Sequence, residues 1–214
     1  LRLPMGDYEL ARLAYEIERL DLNFSGGEQD QYAAAFGGFN FMEFLKDDKV
    51  IVNPLKIKRW IVDELEASMV LYYTGASRES AQIIDEQKNN TKQGNTKTID
   101  ALHKIKQSAR DMKQAILFGD VENFANIIKQ GWEDKKRLAK SISNDKIDNI
   151  MNIAYNAGAL AGKVSGAGGG GFITFIVKPE NKYALIQALK DLDGEVIPFE
   201  FSDGGPHGWI VYNG

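Results

Sequence analysis

Apolar positions recur at helical spacing from the first residues onward. Leu10, Leu13, Ala14, Ile17 and Leu20 share one face, which predicts a helix capped by Asp7. Glu16, Glu18 and Arg19 fall off or at the edge of that stripe. The period breaks near Asn23, and the polar, glycine-bearing segment Ser25-Gly26-Gly27-Glu28-Gln29-Asp30-Gln31 follows. Phe39, Phe41 and Phe44 then alternate. With Val50-Ile51-Val52 they predict a hairpin turning at Lys46-Asp47-Asp48. The run Met69-Val70-Leu71-Tyr72-Tyr73 predicts a buried strand ending at Thr74-Gly75.

Residues 82–97 are polar and contain Lys88-Asn89-Asn90 and Gly94-Asn95, so a mobile loop within or between helices is expected there. Amphipathic helices are predicted over 98–118, 121–140 and 144–157, the first two separated by Gly119-Asp120. Phe172–Val177 reads as a strand, and Pro179 opens a helix carrying Tyr183, Leu185, Ile186 and Leu189. Strands over 195–201 and 208–212 flank the turn Asp203-Gly204-Gly205-Pro206. Helices and strands in the distal half do not alternate regularly. The expectation is an α+β fold, with helices on one face of a largely antiparallel sheet.

Composition narrows the function classes. The chain has 214 residues, 43% of them hydrophobic, enough for one large or two modest domains. A net charge of −4 speaks against a nucleic-acid surface. The lack of cysteine removes thiolate chemistry and disulfides. No apolar stretch approaches the roughly 20 residues of a membrane helix, so no membrane partner and a cytoplasmic location are expected. The chain opens on Leu1-Arg2-Leu3-Pro4 without a methionine, and a further upstream segment is therefore expected.

Candidate chemistry concentrates in three places. Gly166-Ala167-Gly168-Gly169-Gly170-Gly171 packs five glycines into six residues. Ordering them opposes folding by about 2.5–5 kcal/mol in backbone entropy. Such a loop turns through positive φ and brings bare N–H groups close to a ligand, often a phosphate; the alternative is tight packing alone. The spacing also matches a dinucleotide fingerprint, which requires strand, turn and then helix. Here a helical stretch ending near Gly158 is expected before the glycines and a strand after them, and no Walker lysine follows. Lys163 and Ser165 lie beside the loop, where Lys163 either neutralises phosphate charge or is solvated.

The second place is Asp30. It can accept a substrate hydroxyl proton if neighbouring amides hold its carboxylate, or it can cap the short helix beginning near Gln31. Glu18 can offer Mg²⁺ an oxygen or lie on a solvated helix face. The third is Thr74-Gly75-Ala76-Ser77-Arg78-Glu79-Ser80, where Arg78 either grips a phosphate or is an ordinary loop arginine. His103 and His207 have no partner at metal-ligand spacing.

Gly26 to Ala34 together with Lys163 to Phe172 resemble two motifs of the GHMP kinases, the superfamily of galactokinases, homoserine kinases, mevalonate kinases and phosphomevalonate kinases. Gly27-Glu28-Gln29-Asp30-Gln31-Tyr32-Ala33 and the Thr-Gly-x-Ser-Arg segment at 74–78 resemble its heptose 7-phosphate and fucose kinases. The resemblance implies an ATP- and Mg²⁺-dependent kinase acting on a small-molecule sugar phosphate. It implies Asp30 as the catalytic aspartate and Glu18 as the Mg²⁺ ligand. Gly166, Ala167, Gly168, Gly169 and Gly170 would approach the nucleotide, and Gly27, Gln29, Arg78 and Gly168 would face the acceptor. The implied fold is the end of a ribosomal S5-type domain over 1–62, followed by a ferredoxin-like domain over 63–214. The superfamily's Pro-x-Gly-x-Gly-Ser-Ser loop has no counterpart in this sequence. These residues are therefore expected to be the distal two-thirds of a kinase that by itself binds ATP poorly. The oligomeric state is left open, a homodimer among the options.

Overall fold

The computed structural model describes residues 5–75 and 80–207. They divide into two compact units. One holds the described residues up to Ile57 and those from Phe201, the other Lys58–Glu200.

In the first unit, α1 (Asp7–Tyr15) runs into a π-helical turn (Glu16–Asp21), followed by α2 (Gln29–Phe36) and the antiparallel strands β1 (Asn40–Phe44) and β2 (Val50–Pro54). Asp7 is the first helical residue of α1 rather than its cap. The cap position belongs to Gly6, whose N–H donates to Glu9 Oε2 at 2.8 Å. Ala11, Tyr32, Ala35 and Val52 form the small core. The Tyr8 hydroxyl accepts from the Val52 N–H at 2.9 Å, while its ring meets Phe36 edge-on at 4.9 Å, tying α1 to the hairpin and to α2. The predicted hairpin turn is present, with Asp47 and Asp48 at φ +61° and +54°, a conformation aspartate tolerates. The predicted turn at 203–206 returns here and lies against α2's end. Gly38 N–H donates to the Ser202 carbonyl at 2.9 Å, and Phe39 packs on Phe201 at 4.8 Å. A Cβ on Gly37 would stand 2.0 Å from the Gly204 carbonyl carbon, so only glycine allows this backbone-on-backbone contact.

The second unit contains α3 (Arg59–Ser68), β3 (Met69–Tyr73), α4 (Ser80–Lys92), α5 (Thr96–Phe118) and α6 (Val121–Lys136). A 3₁₀ turn (Lys140–Ile142), α7 (Asp145–Asn156), β4 (Ala159–Val164), β5 (Phe172–Val177), α8 (Pro179–Lys190) and β6 (Glu195–Ile197) complete it. The sheet has the order β4-β5-β3-β6 with every pairing antiparallel, as the α+β reading expected. Its core joins Trp132, Ile142, Ile147, Ile150, Phe175, Leu185 and Leu189 among others. No described helix is long and apolar enough to cross a membrane. The expected strand at 208–212 lies outside the described residues, and the one expected over 195–201 is confined to β6.

Three departures have local causes. First, β4 was not anticipated, because Ala159-Leu160-Ala161-Gly162-Lys163-Val164 is mostly small residues of weak strand preference. Pairing with β5 overrides that preference. Gly162 is required by the packing, since a Cβ there would come within 2.6 Å of Met151 Sδ and 2.8 Å of Phe175 Cδ1. Second, α6 stops at Lys136 and the chain tightens into the 3₁₀ turn instead of continuing to 140.

Third, most of the expected mobile loop is α4. The helix is anchored by buried Ile83 and by three polar grips. Asn90 Nδ2 donates to the Leu138 carbonyl at 2.8 Å. Glu86 receives the Lys140 N–H at 2.8 Å on one oxygen and the Ser141 hydroxyl on the other. The Ser141 bond, with the backbone N–H groups of Lys140 and Ser141, holds the Glu86 carboxyl below its ordinary value. A lowered folded-state pKa contributes stability that is present above the unfolded value and lost as pH falls through the folded one. Glu86→Gln is therefore expected to lower the melting temperature at pH 7, with the gap to wild type closing below about pH 4. Thermal denaturation at both pH values checks this; a gap that persists in acid removes the charged carboxylate as the anchor.

Candidate functional site

The π-helical turn places Glu18. A π turn inserts one residue into the helical register, and here it carries Glu18 to the face that meets α2. Arg19 then closes the following loop on itself. Its Nε donates to the Gly27 carbonyl at 3.0 Å, its Nη1 to the Phe24 carbonyl at 3.5 Å, and its Nη2 stands 3.5 Å from Glu18 Oε2. A Cβ on Gly26 would lie 2.5 Å from the guanidinium carbon, so this glycine is the seat on which Arg19 rests. Sequence reading missed Arg19 as the organiser of this loop; the only available signal was an arginine at the stripe's edge ahead of two glycines.

Asp30 stands in the first turn of α2, where the helix dipole favours a carboxylate. It does not cap the helix, because Glu28 occupies the cap position. Nor does the amide of Gln31 hold it. Gln31 Nε2 donates to Glu18 Oε2 instead, while Gln29 is exposed. Glu18, Asp30 and Gln31 line one cleft of ≈ 360 Å³, floored by apolar side chains of α1 and α2 such as Leu10 and Ala34. Two separated stretches of sequence thus converge on one cleft. Gly27 has open space at its Cα, but its carbonyl is taken by Arg19.

In the second unit the glycine-rich segment is the link of the β4–β5 hairpin, so a strand rather than a helix precedes it. A strand also follows, and the dinucleotide reading stays excluded. Gly166, Gly168, Gly169 and Gly171 all have positive φ. Gly168, at +118°, lies so close to the 3₁₀ turn that a Cβ would come within 2.8 Å of the Ile142 carbonyl oxygen. The same oxygen accepts the Gly169 N–H at 2.8 Å. Asn144 caps α7 by accepting from Ile147 N–H at 3.0 Å and donates to the Gly169 carbonyl at 3.1 Å. Thr74, Asn144, Lys146, Gly169 and Gly170 border a cavity of ≈ 280 Å³ at the α7 N-terminus. Gly168 is held by tight packing against the 3₁₀ turn, whereas nothing lies within 4 Å of a Cβ built on Gly166 or Gly171.

Two lysines flank this loop. Burial lowers Lys135 to about 8, with the Lys163 charge adding to the effect, and its ammonium donates to the Gly166 carbonyl. Desolvation also lowers Lys163, although solvent reaches its side chain. Lys135 was missed because it sits among the charged residues closing α6, where it looks like one more solvated cation. Arg78 and Ser77 lie outside the described residues. Among the described residues no three His, Cys, Asp or Glu side chains converge into a metal cage. Two carboxylates in one cleft fit Mg²⁺, which takes one or two carboxylates and completes its shell with water and phosphate oxygens.

Similarity to known proteins bears on the fold and the family. Residues 105–192 match the family described as GHMP kinases C terminal. The chain is 50% identical over 211 residues to D-glycero-alpha-D-manno-heptose 7-phosphate kinase of Campylobacter jejuni subsp. jejuni serotype O:2, covering 99% of this chain and 62% of the relative. A crystal structure of a D-glycero-D-manno-heptose 1-phosphate kinase from Bacteroides thetaiotaomicron is similar with a TM-score of 0.77 at 54% identity, covering 99% of this chain and 57% of that one. L-fucokinase/L-fucose-1-P guanylyltransferase of Bacteroides fragilis is 27% identical over 187 residues, covering 85% of this chain and 19% of the relative. The chain thus spans about three-fifths of the length of its heptose phosphate kinase relatives. With the fold and these similarities in agreement, residues 105–192 belong to the GHMP kinase C-terminal family, and the chain is similar to heptose phosphate kinases over nearly its whole length.

Proposed function

We propose that the protein is an ATP-dependent sugar kinase of the cytoplasm, which transfers the γ-phosphate to a hydroxyl of D-glycero-D-manno-heptose 7-phosphate. The observation that carries the reading is the convergence of Glu18 and Asp30 on one cleft. Identity to the heptose 7-phosphate kinase favours that acceptor over fucose. In family terms, the unit that ends at Ile57 closes the N-terminal domain and Lys58–Glu200 is the body of the C-terminal one, against the expected 1–62 and 63–214.

The reaction is a direct in-line displacement. Asp30, exposed at the head of α2, orients the acceptor hydroxyl and takes its proton as the oxygen bonds to the γ-phosphorus. The bond from the γ-phosphorus to the β–γ bridging oxygen breaks, and ADP carries away the electron pair. Gly166, Ala167, Gly168 and Gly170 present backbone to the nucleotide, while Gly169, expected to join them, bonds Ile142 and Asn144 and holds the loop instead; Gly27, Gln29, Gly168 and Arg78 serve the acceptor, Arg78 gripping its existing phosphate. Glu18 would hold Mg²⁺ through Oε1, because Oε2 is engaged by Gln31 and Arg19. The ion supplies neutralisation of the phosphate charge.

Mg²⁺-dependent ADP release with heptose 7-phosphate, fucose, galactose and mevalonate as acceptors tests the reading. Turnover on the heptose phosphate alone is expected, and silence on every acceptor would overturn it. Glu18→Gln is expected to raise the Mg²⁺ concentration at half-maximal rate by about tenfold, the loss of one charged ligand. An unchanged Mg²⁺ titration takes Glu18 out of the metal shell.

A further inference from the structure

Two cations stand at the glycine-rich segment without an acid to offset them. Lys135, in the last turn of α6, donates from its ammonium to the Gly166 carbonyl. Lys163 precedes that glycine on β4, and its charge reaches Lys135 and opposes it. Among the described residues no carboxylate pairs with either lysine. The acids beside Lys135 in the sequence are engaged elsewhere, Glu133 with Lys136 at 2.8 Å and Asp134 with Arg137 at 3.3 Å. Charges drawn out of water are ordinarily paired, and a like charge nearby raises the cost further. An anion held between the two lysines offsets both penalties.

Strand register brings further donors to the same place. Lys163 lies opposite Thr174 in the β4–β5 ladder, and Ser165, two positions on, shares its face. The Ser165 and Thr174 hydroxyl oxygens stand 3.5 Å apart. Val164, Ile173 and Phe175 lie on the opposite face, in the core. Solvent reaches the polar face: Lys163 and Ser165 are exposed and Thr174 is half-buried. The Gly166 carbonyl takes one of the three Lys135 ammonium donors, which leaves two. We propose that Lys135 and Lys163, with the hydroxyls of Ser165 and Thr174, form a binding site for a phosphate group. Two ammonium groups match the charge of about −1.5 to −2 on a terminal phosphate, whose oxygens accept from ammonium and hydroxyl alike. Two sources share that chemistry, the nucleotide and the phosphate already on the acceptor. Only the choice between them rests on the sugar-kinase reading; the site itself does not.

The test uses the natural protein. Inorganic phosphate, exchanged for chloride at constant ionic strength, is expected to raise its melting temperature. Lys135→Gln and Lys163→Gln should each need about tenfold more phosphate for the same rise, the loss of one charge-assisted hydrogen bond, while Lys163→Arg stays near wild type. Without phosphate, Lys163→Gln should melt no lower than wild type, because it removes one of two repelling charges. A lower melting temperature combined with an undiminished phosphate response would make the lysine merely structural and overturn the proposal. So would a wild-type protein whose melting temperature ignores phosphate. Kinetics of Lys163→Gln with Mg·ATP and heptose 7-phosphate then distinguish the sources. A rise of about tenfold confined to the acceptor KM puts the acceptor's phosphate at this site, and a rise confined to the KM for ATP puts the nucleotide there. A protein that binds phosphate as described but phosphorylates no sugar upholds the site and overturns the sugar-kinase reading.

Discussion

Replacing Asp30 with alanine is expected to lower kcat for sugar phosphorylation by about 10²–10⁴, the usual contribution of a positioned general base. The KM for ATP should stay close to the wild-type value. The prediction separates catalysis from folding because Asp30 is exposed in the first turn of α2, outside the Ala11, Tyr32, Ala35 and Val52 core. Its loss removes no packing, so the melting temperature should move little. Asp30→Asn sharpens the point: an amide can still hydrogen-bond the acceptor hydroxyl but takes no proton, so it should be nearly as slow as alanine. Steady-state kinetics with both substrates varied, alongside thermal melts, provide the check. Turnover within threefold of wild type in Asp30→Ala would take the residue out of the chemistry.

The largest effect on stability is expected at Gly168→Ala. Two independent terms oppose the substitution. The backbone sits at φ +118°, a region essentially reserved for glycine, and forcing another residue there costs about 1–3 kcal/mol. The added methyl would also stand 2.8 Å from the Ile142 carbonyl oxygen, and overpacking of this kind costs about 1–3 kcal/mol. That oxygen cannot retreat freely, because it also receives the Gly169 N–H. A total of about 2–6 kcal/mol corresponds to a melting temperature lower by roughly 5–20 °C in a chain of this size. Gly166→Ala is the control. Its φ of +71° carries strain, but nothing lies within 4 Å of its added methyl, so about 1 kcal/mol is expected. Equal melting temperatures for the two variants would show that contact with the 3₁₀ turn does not hold the loop.

Asp30 and Glu18 can be proposed from the sequence because the motif they resemble is local. Gly26 through Ala34 is contiguous, and Glu18 lies twelve residues before Asp30. The hydrogen bond from Gln31 to Glu18 was not legible, since a glutamine beside an aspartate shows nothing of which atom it meets. Arg19 illustrates the same limit. At the edge of a hydrophobic stripe it looks like a solvated cation, and only the folded loop reveals that Phe24 and Gly27 supply its acceptors. Lys135 and Lys163 lie 28 positions apart, and only the packing of α6 beside β4 joins them at the glycine loop.

Periodicity by itself determined the amphipathic helices, the β1–β2 hairpin with its aspartate turn, β3, β5 and the antiparallel α+β class. In each, one buried face imposes a repeat that composition makes visible. Only the tertiary structure decided that Ala159–Val164 is a strand, that the polar stretch Ser80–Lys92 is a helix, and that α1 ends in a π turn. In those segments local preference is weak or opposed. The decisive energies come from partners far along the chain: the β5 ladder, the 3₁₀ turn gripping Glu86, and the Gln31 amide on Glu18. A sequence records which groups can make such contacts, but the choice among partners is settled only when the chain has folded.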